Sequence, residues 1–414
     1  MKTQMTLIIF LMLTTHMSFA QDWTWYNNDN SGLPSNDVRD IVIDSINNDV
    51  WIATSQGLTR FDNQSWEVFN SANTGMDFNS VTAVAIDYNG DIWMGSPDAL
   101  FHFDGENWEI FNENNSGMPE LGAQNSVTRI LVDESNSKWI GTGASGLIKF
   151  NDQDNQWQIY DYFNSEFPGG AIHDIGLSPD GAIWACASEG VLVIHENGNQ
   201  FVYDDNNSPL SGVTAIYIKG EDVWFGTPEG LVYYNGEDWE IFDTTNSEIH
   251  NNWVRALEMD DSGNLWLALS GVSVFDGISV FDGENWVNFN QDNSNLPTNK
   301  IFQLAIDADN KIWGGSFDEG LGFLTYPVSF RVKSHDLKTL SVYPNPVNYQ
   351  LTLNISHQNI INRVVLYDLL GNLIINNEHV TVPHQMDVKN LISGSYILII
   401  QTESNLFTRK IIKK

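Results

Sequence analysis

Three arginines carry most of the chemistry this sequence offers. Between residues 21 and 330 there are 48 acidic side chains and only 9 lysines and arginines. Three of those nine, Arg39, Arg129 and Arg255, fall in short stretches that resemble one another. The stretches begin Val38-Arg-Asp-Ile, Val81-Thr-Ala-Val, Val127-Thr-Arg-Ile, Ile172-His-Asp-Ile, Val213-Thr-Ala-Ile, Val254-Arg-Ala-Leu and Ile301-Phe-Gln-Leu. Their first and fourth positions stay apolar while the second and third vary, so the local fold does not dictate those two. His173 shares the second position with Arg39 and Arg255. Asp40, Asp174 and Gln303 share the third with Arg129, and Trp253 directly precedes one copy. Guanidinium forks suit carboxylate or sulfate groups, and an aromatic edge suits a sugar ring. If the seven stretches are equivalent strands around one axis, these eight residues form a single rim that binds an acidic glycan or peptide. The competing reading is that each arginine pairs with an aspartate of its own or a neighbouring copy.

Other candidates point to structure. Cys186, the single cysteine, stands where other copies carry the glycine of a Trp-Ile-Gly-Thr stretch. It can form no disulfide within the chain, and it reads as a small buried filler. The loops DYNGD (87 to 91) and DDSGN (260 to 264) place oxygen ligands before a glycine, as calcium loops do. They lack the terminal glutamate and recur at turn positions, where Asp and Asn are ordinary turn formers. No metal and no cofactor is expected. There is no nucleophile elbow, no HExxH and no phosphate loop. Glycoside hydrolysis needs two carboxylates at a set separation, and no pair stands out among so many.

The elements that must position the rim come from a repeat. DIWMGSPDALFHFDGENWEIF, from Asp91, returns as DVWIATSQGLTRFDNQSWEVF from Asp49 and DVWFGTPEGLVYYNGEDWEIF from Asp222. Looser copies start at Lys138, Ala182, Asn264 and Lys311. The first tryptophan falls at Trp51, Trp93, Trp139, Trp184, Trp224, Trp266 and Trp313, and a second aromatic at Trp25, Trp66, Trp108, Trp157, Phe201, Trp239 and Trp286. Each unit reads as four short alternating strands split by Asn-Gly and Asp-Gly turns. Such units every forty to fifty residues predict an all-β, seven-bladed β-propeller. The chain opens on a lone fourth strand (Trp23 to Asn27) and its last unit, ending Gly320 to Tyr326, lacks one, so the first closes the last. Thirteen of fifteen tryptophans then pack between blades, leaving Trp23 and Trp253 outside the register.

Residues 1–20 read as a secretory signal peptide: Lys2, an apolar run from Leu7 to Leu13, then Ser18-Phe19-Ala20. No later segment is a candidate membrane span. Residues 21–330 are the propeller, 331–340 a linker and 341–414 a small Ig-like β-sandwich. The strong acidity of the propeller argues against nucleic acid and anionic membranes, and it permits basic partners or divalent cations. The part from Arg331 onward carries nine basic against five acidic side chains.

The repeat D-x-x-G-x-I-W-x-G-T-x-x-G-L-x-x-F-D-G-x-x-W, clearest at Asp87 to Trp108 and Asp222 to Trp239, resembles the two-component-regulator propeller family. That resemblance implies a periplasmic, often glycan-responsive sensor. With no kinase or receiver in this chain, only ligand binding carries over. The stretches Ser341 to Val347 (SVYPNPV), Val364 to Ile374 (VVLYDLLGNLI), Gly394 to Ile400 (GSYILII) and Arg409 to Lys414 (RKIIKK) resemble the C-terminal sorting domain of type IX secretion substrates. The resemblance implies outer-membrane passage by that machinery, removal of the domain, and release or display at the cell surface. The expected function is a secreted or surface binding module for a glycan or protein. The alternatives are a propeller polysaccharide lyase or hydrolase, or a structural surface or adhesion component.

Overall fold

The computed structural model describes residues 23–324 and 340–414, apart from 123, 272, 345, 356–359, 369–372 and 402–405. The expected signal peptide, and all but the last residue of the expected linker, lie outside the described residues. By its contacts the chain divides into two compact units, Met1–Tyr326 and Pro327–Lys414.

The described residues of the first unit form seven four-stranded antiparallel sheets. Six are continuous in sequence, with first strands Val38–Ile43, Ala83–Ile86, Val127–Val132, Ile172–Leu177, Ala215–Lys219 and Val254–Met259. The seventh takes Ile301–Ile306, Ile312–Ser316 and Leu321–Leu324 and completes itself with Trp23–Tyr26. Each first strand touches the first strand of the next sheet, and the seventh touches the first, so the blades close on themselves. Closure hides the inner edges that would otherwise recruit foreign strands.

The repeat residues explain the packing. Val38, Val81, Val127, Ile172, Val213, Val254 and Ile301 have no exposed surface. Each faces the blade before it, and the approach is close. A Cβ placed on Gly95 would lie 2.3 Å from Val127, and one on Gly141 would lie 2.6 Å from Ile172. The glycine of the Trp-Ile-Gly-Thr stretch therefore makes room for the next blade. In blade four Cys186 fills that place, buried, with its thiol pushed well above the ordinary range by burial.

The turn aspartates are spent on the fold. Asp87 accepts the amides of Asn89 and Asp91 on Oδ1 and the Trp93 indole N–H on Oδ2. Asp133, Asp260 and Asp307 likewise accept the indoles of Trp139, Trp266 and Trp313. Buried indole N–H groups need such partners. Blade four carries Ser178 instead, and the Trp184 indole nitrogen is buried without an acceptor. The loops between blades repeat a second device that the spacing of tryptophans does not reveal. In DDNNS, for example, Asn207 bonds the Asp204 amide and the Val202 carbonyl, and Ser208 bonds the Asp204 carbonyl. The same bonds recur at Asn30 and Ser31 and at Asn293 and Ser294.

Strand pairing corrects the aromatic register at two places. Trp66, Trp108, Trp157, Trp239 and Trp286 each sit opposite the aromatic that ends the third strand. In the closing blade that position belongs to Trp23, opposite Leu324, while Trp25 lies opposite Gly322. In blade four it belongs to Gln200, opposite Ile194, while Phe201 faces Val193. Trp23 is thus in the repeat and Trp25 is the extra one. At Trp25 the count from aromatic to aromatic slips by two residues, which keeps the same face of the strand, whereas at Phe201 it slips by one, onto the opposite face.

The second unit forms two sheets. One has three strands, Leu340–Tyr343, Gln350–Ile355 and His384–Asp387; the other has four, including Ile360–Asp368 and Gly394–Gln401. Leu351, Leu353, Met386, Val364, Leu366, Leu398 and Ile400 form one buried core between them.

Candidate functional site

Rim residues reach the channel because their strands are irregular. In blades one, three, four, six and seven the pairing of first and second strands skips the second residue, so Arg39, Thr128, His173, Arg255 and Phe302 are unpaired bulge residues. A bulge re-aims side chains. It turns the second and third positions, which a regular strand would send to opposite faces, toward the channel together.

Arg129 forms a crossbar. From blade three it donates to Gln303 Oε1 of blade seven at 3.1 Å, and its ion pairs reach Asp40 of blade one at 3.5 Å and Asp174 of blade four at 3.4 Å. Both aspartates also tie neighbouring blades: Asp40 accepts the Val84 amide and Asp174 the Ile216 amide. Burial lifts both carboxyls above the ordinary range, and Arg129 opposes it. For Arg129, pairing with aspartates is the correct account.

The second-position residues differ. Arg39 bonds Asp37 at 2.9 Å and Ser80 at 2.6 Å. His173 meets the Ser188 hydroxyl at 3.0 Å, and burial, with Arg255 and Arg129 adding to it, lowers its pKa and favours the neutral ring. Arg255 makes no hydrogen bond or ion pair with a described residue. Burial and the nearby Arg129 hold its guanidinium below its ordinary range, with Asp174 opposing. The small occupants are structural: Thr82 and Thr214 donate to the first carbonyl of the next blade, Val127 and Val254. Thr128 makes no such bond, and its hydroxyl is buried without a partner.

Arg39, Arg129, His173, Arg255 and Gln303 line one cavity of about 460 Å³. Asp40 and Asp174 line a second, of about 400 Å³, which shares Arg129, Arg255 and Gln303 with the first. The eight expected residues are therefore not one rim. Trp253 lines neither cavity. Its ring lies against Gly271, where a Cβ would come within 2.9 Å, and its indole nitrogen is buried. The aromatic at the mouth is Phe317, which is 44% exposed and stacks on Phe302 at 3.9 Å. Its position on the loop after a second strand lay outside the strand alignment. The Phe302 signal was present, as the one aromatic among seven second-position residues. The second cavity also holds Glu258, whose carboxyl is pushed up to about 8 by burial and then by Asp174.

A further cleft of about 500 Å³ separates blades three and four. At five other junctions the phenylalanine or tyrosine closing one blade meets an aromatic pair on the next, as Phe111 meets Phe150 and Trp157. Here Trp139 and Tyr160 face Ile194, which pairs with Gln200 where other blades hold an aromatic pair, and the interlock is missing.

No curated protein matches the sequence. Among solved structures the chain is similar to PorZ, an essential bacterial surface component of the type-IX secretion system of Porphyromonas gingivalis, with 17% identity and a TM-score of 0.63; the match covers 93% of this chain and 60% of that one. It is similar to the extracellular domain of the hybrid two component system BT3049 of B. thetaiotaomicron, with 18% identity, a TM-score of 0.59, and 95% and 57% of the two chains. Virginiamycin B lyase of Staphylococcus aureus matches at 14% identity and a TM-score of 0.58, over 74% of this chain and 99% of that one. The chain thus spans about 60% of the length of the first two. At such identities the likeness carries the propeller fold alone. The family match is narrower and more telling: residues 341–414 are a secretion system C-terminal sorting domain, which marks the protein for the cell surface or outer membrane.

Proposed function

We propose that this protein is an extracellular propeller module that binds an acidic ligand, glycan or protein, at the cationic channel mouth. One observation carries the reading. Arg255 makes no hydrogen bond or ion pair with a described residue, and Asp174, its acidic neighbour, is already paired with Arg129, yet it lines a cavity in a propeller crowded with acids. An unpaired, partly desolvated charge is costly, and an anion in the cavity would offset that cost. The volume, about 460 Å³, falls in the range of ordinary small-ligand sites. Binding is favoured over turnover because Asp40 and Asp174, the carboxylates that face each other across the channel, are already held by Arg129. The test is an array of acidic and neutral glycans and peptides probed with the secreted protein and with Arg255→Gln. Acid-dependent binding lost in the variant supports the reading, and binding that ignores Arg255 overturns it.

A further inference from the structure

The mouth has a floor. Arg129 spans from blade three to blades one, four and seven, and it lines both cavities together with Arg255 and Gln303. The crossbar is therefore the wall between the upper and lower cavities. A polymer threading the channel would have to break both ion pairs and leave two buried carboxylates without their counter-charge, a cost that removing one partner of a buried pair always carries. An occupant of the mouth must end there.

The charge count limits it further. Arg39 is already matched by Asp37 and Arg129 by two aspartates, so among the described arginines that line the mouth Arg255 is the one left for a ligand. Around the mouth lies a body with 48 acidic side chains against 9 basic ones. A chain with many negative charges meets that field unfavourably, whereas one acidic group at a chain end does not. The remaining wall includes Thr82, Thr128 and Thr214, whose hydroxyls are bonded to backbone carbonyls or buried, and the exposed ring of Phe317. An exposed aromatic face beside one cation matches a sugar ring that carries one acidic group better than a peptide terminus, which is usually captured by backbone amides.

Resting on the reading of the mouth as a ligand site, we infer that it recognises a glycan end-on: a single terminal sugar bearing one carboxylate or sulfate, with its acidic group on Arg255 and its ring against Phe317. The ligand is captured by its tip, and the rest of the glycan leaves upward into solvent.

Calorimetry on the full secreted protein tests this with methyl β-glucuronide, methyl β-galactoside 6-sulfate, methyl β-glucoside, and two tetrasaccharides with one glucuronate, either terminal or internal. The terminal tetrasaccharide and at least one charged monosaccharide should bind within a few-fold of each other, and the two monosaccharides separate carboxylate from sulfate. The neutral glucoside and the internal isomer should bind far more weakly. Arg255→Gln should weaken the charged ligands about tenfold or more without lowering the melting temperature, which rises if anything because a desolvated charge is removed. Equal binding of the internal isomer, still lost in Arg255→Gln, overturns end-on capture but keeps the mouth as the site. Acid-terminated peptides binding there in place of saccharides overturn the sugar class alone. Charged saccharides that bind Arg255→Gln as well as the parent, or no binding by folded protein to any probe, overturn both readings.

Discussion

Replacing Glu258 with glutamine should stabilise the propeller, and by an amount that grows with pH. Glu258 lies on the first strand of blade six, lines the cavity below the Arg129 crossbar, and makes no hydrogen bond or ion pair with a described residue. Burial first, and the Asp174 carboxylate second, raise its carboxyl from 4.5 to about 8. Below pH 4.5 the group is protonated in both folded and unfolded chains and adds nothing to the balance. Between 4.5 and about 8 the unfolded chain releases the proton while the fold retains it, so stability falls by about 1.36 kcal/mol for each pH unit. Above that window the penalty is complete, with a ceiling of about 5 kcal/mol. The side chain is not fully shielded, since it lines a cavity in the channel, and water there reduces the effective penalty to about 2–3 kcal/mol. Glutamine does not titrate. Urea unfolding of the parent and Glu258→Gln at pH 5, 6.5 and 8, at constant ionic strength, should therefore give curves that diverge steadily. Other titrating groups cancel in the difference. A stability difference that is the same at all three pH values would refute the reasoning, because it would show that the carboxyl ionises as readily inside as outside.

Other side chains give sharper local outcomes. Lys138 has no exposed surface, contacts Asp87 at 3.1 Å and Asp152 at 2.5 Å, and lies over Trp93 at 4.6 Å. Lys138→Ala should cost about 3–5 kcal/mol in denaturant unfolding, and Lys138→Met distinctly less, since it keeps the stem that packs between blades two and three. Asp307→Ala should cost about 2–3 kcal/mol by freeing a buried indole N–H and two turn amides, whereas Ser178→Asp should recover about 1 kcal/mol by giving Trp184 the acceptor it lacks. A chain starting at Asn30 loses the strand that completes blade seven. Its melting temperature should fall by far more than removal of a loose end would cause, and an unchanged value would contradict closure.

The sequence conveyed the fold well because the propeller is built from positions that repeat for a physical reason. The seven apolar first residues are wholly buried, the glycines face them at close approach, and the tryptophans anchor on turn aspartates. It conveyed the site only in part. A strand alignment reveals which positions are free of packing, and so it nominated Arg39, His173 and Arg255, which line one cavity. It assigns no partners, so it could not tell that Arg129 is held by aspartates from two other blades while Arg255 is held by none. Trp253 was misjudged for a related reason: a tryptophan outside the repeat is exceptional in sequence, but Gly271 gives it a slot to fill. Phe317 comes from a loop between strands, where no period constrains the residue type and no alignment can nominate it. Within a repeat, departure from the pattern marks the places where something other than the fold selects the residue. Blade four departs at Ser178, Cys186, Ile194 and Gln200, and three of these are compensated locally: Cys186 fills a glycine site, Ile194 pairs with Gln200, and Gln200 accepts the Glu166 amide. Arg255 departs from the threonine of blades two, three and five, and no described residue forms a hydrogen bond or ion pair with it. Lack of a partner is not enough by itself, since the Trp184 indole beside Ser178 also lacks one; it supports the proposed ligand site at Arg255 because that side chain also lines a cavity.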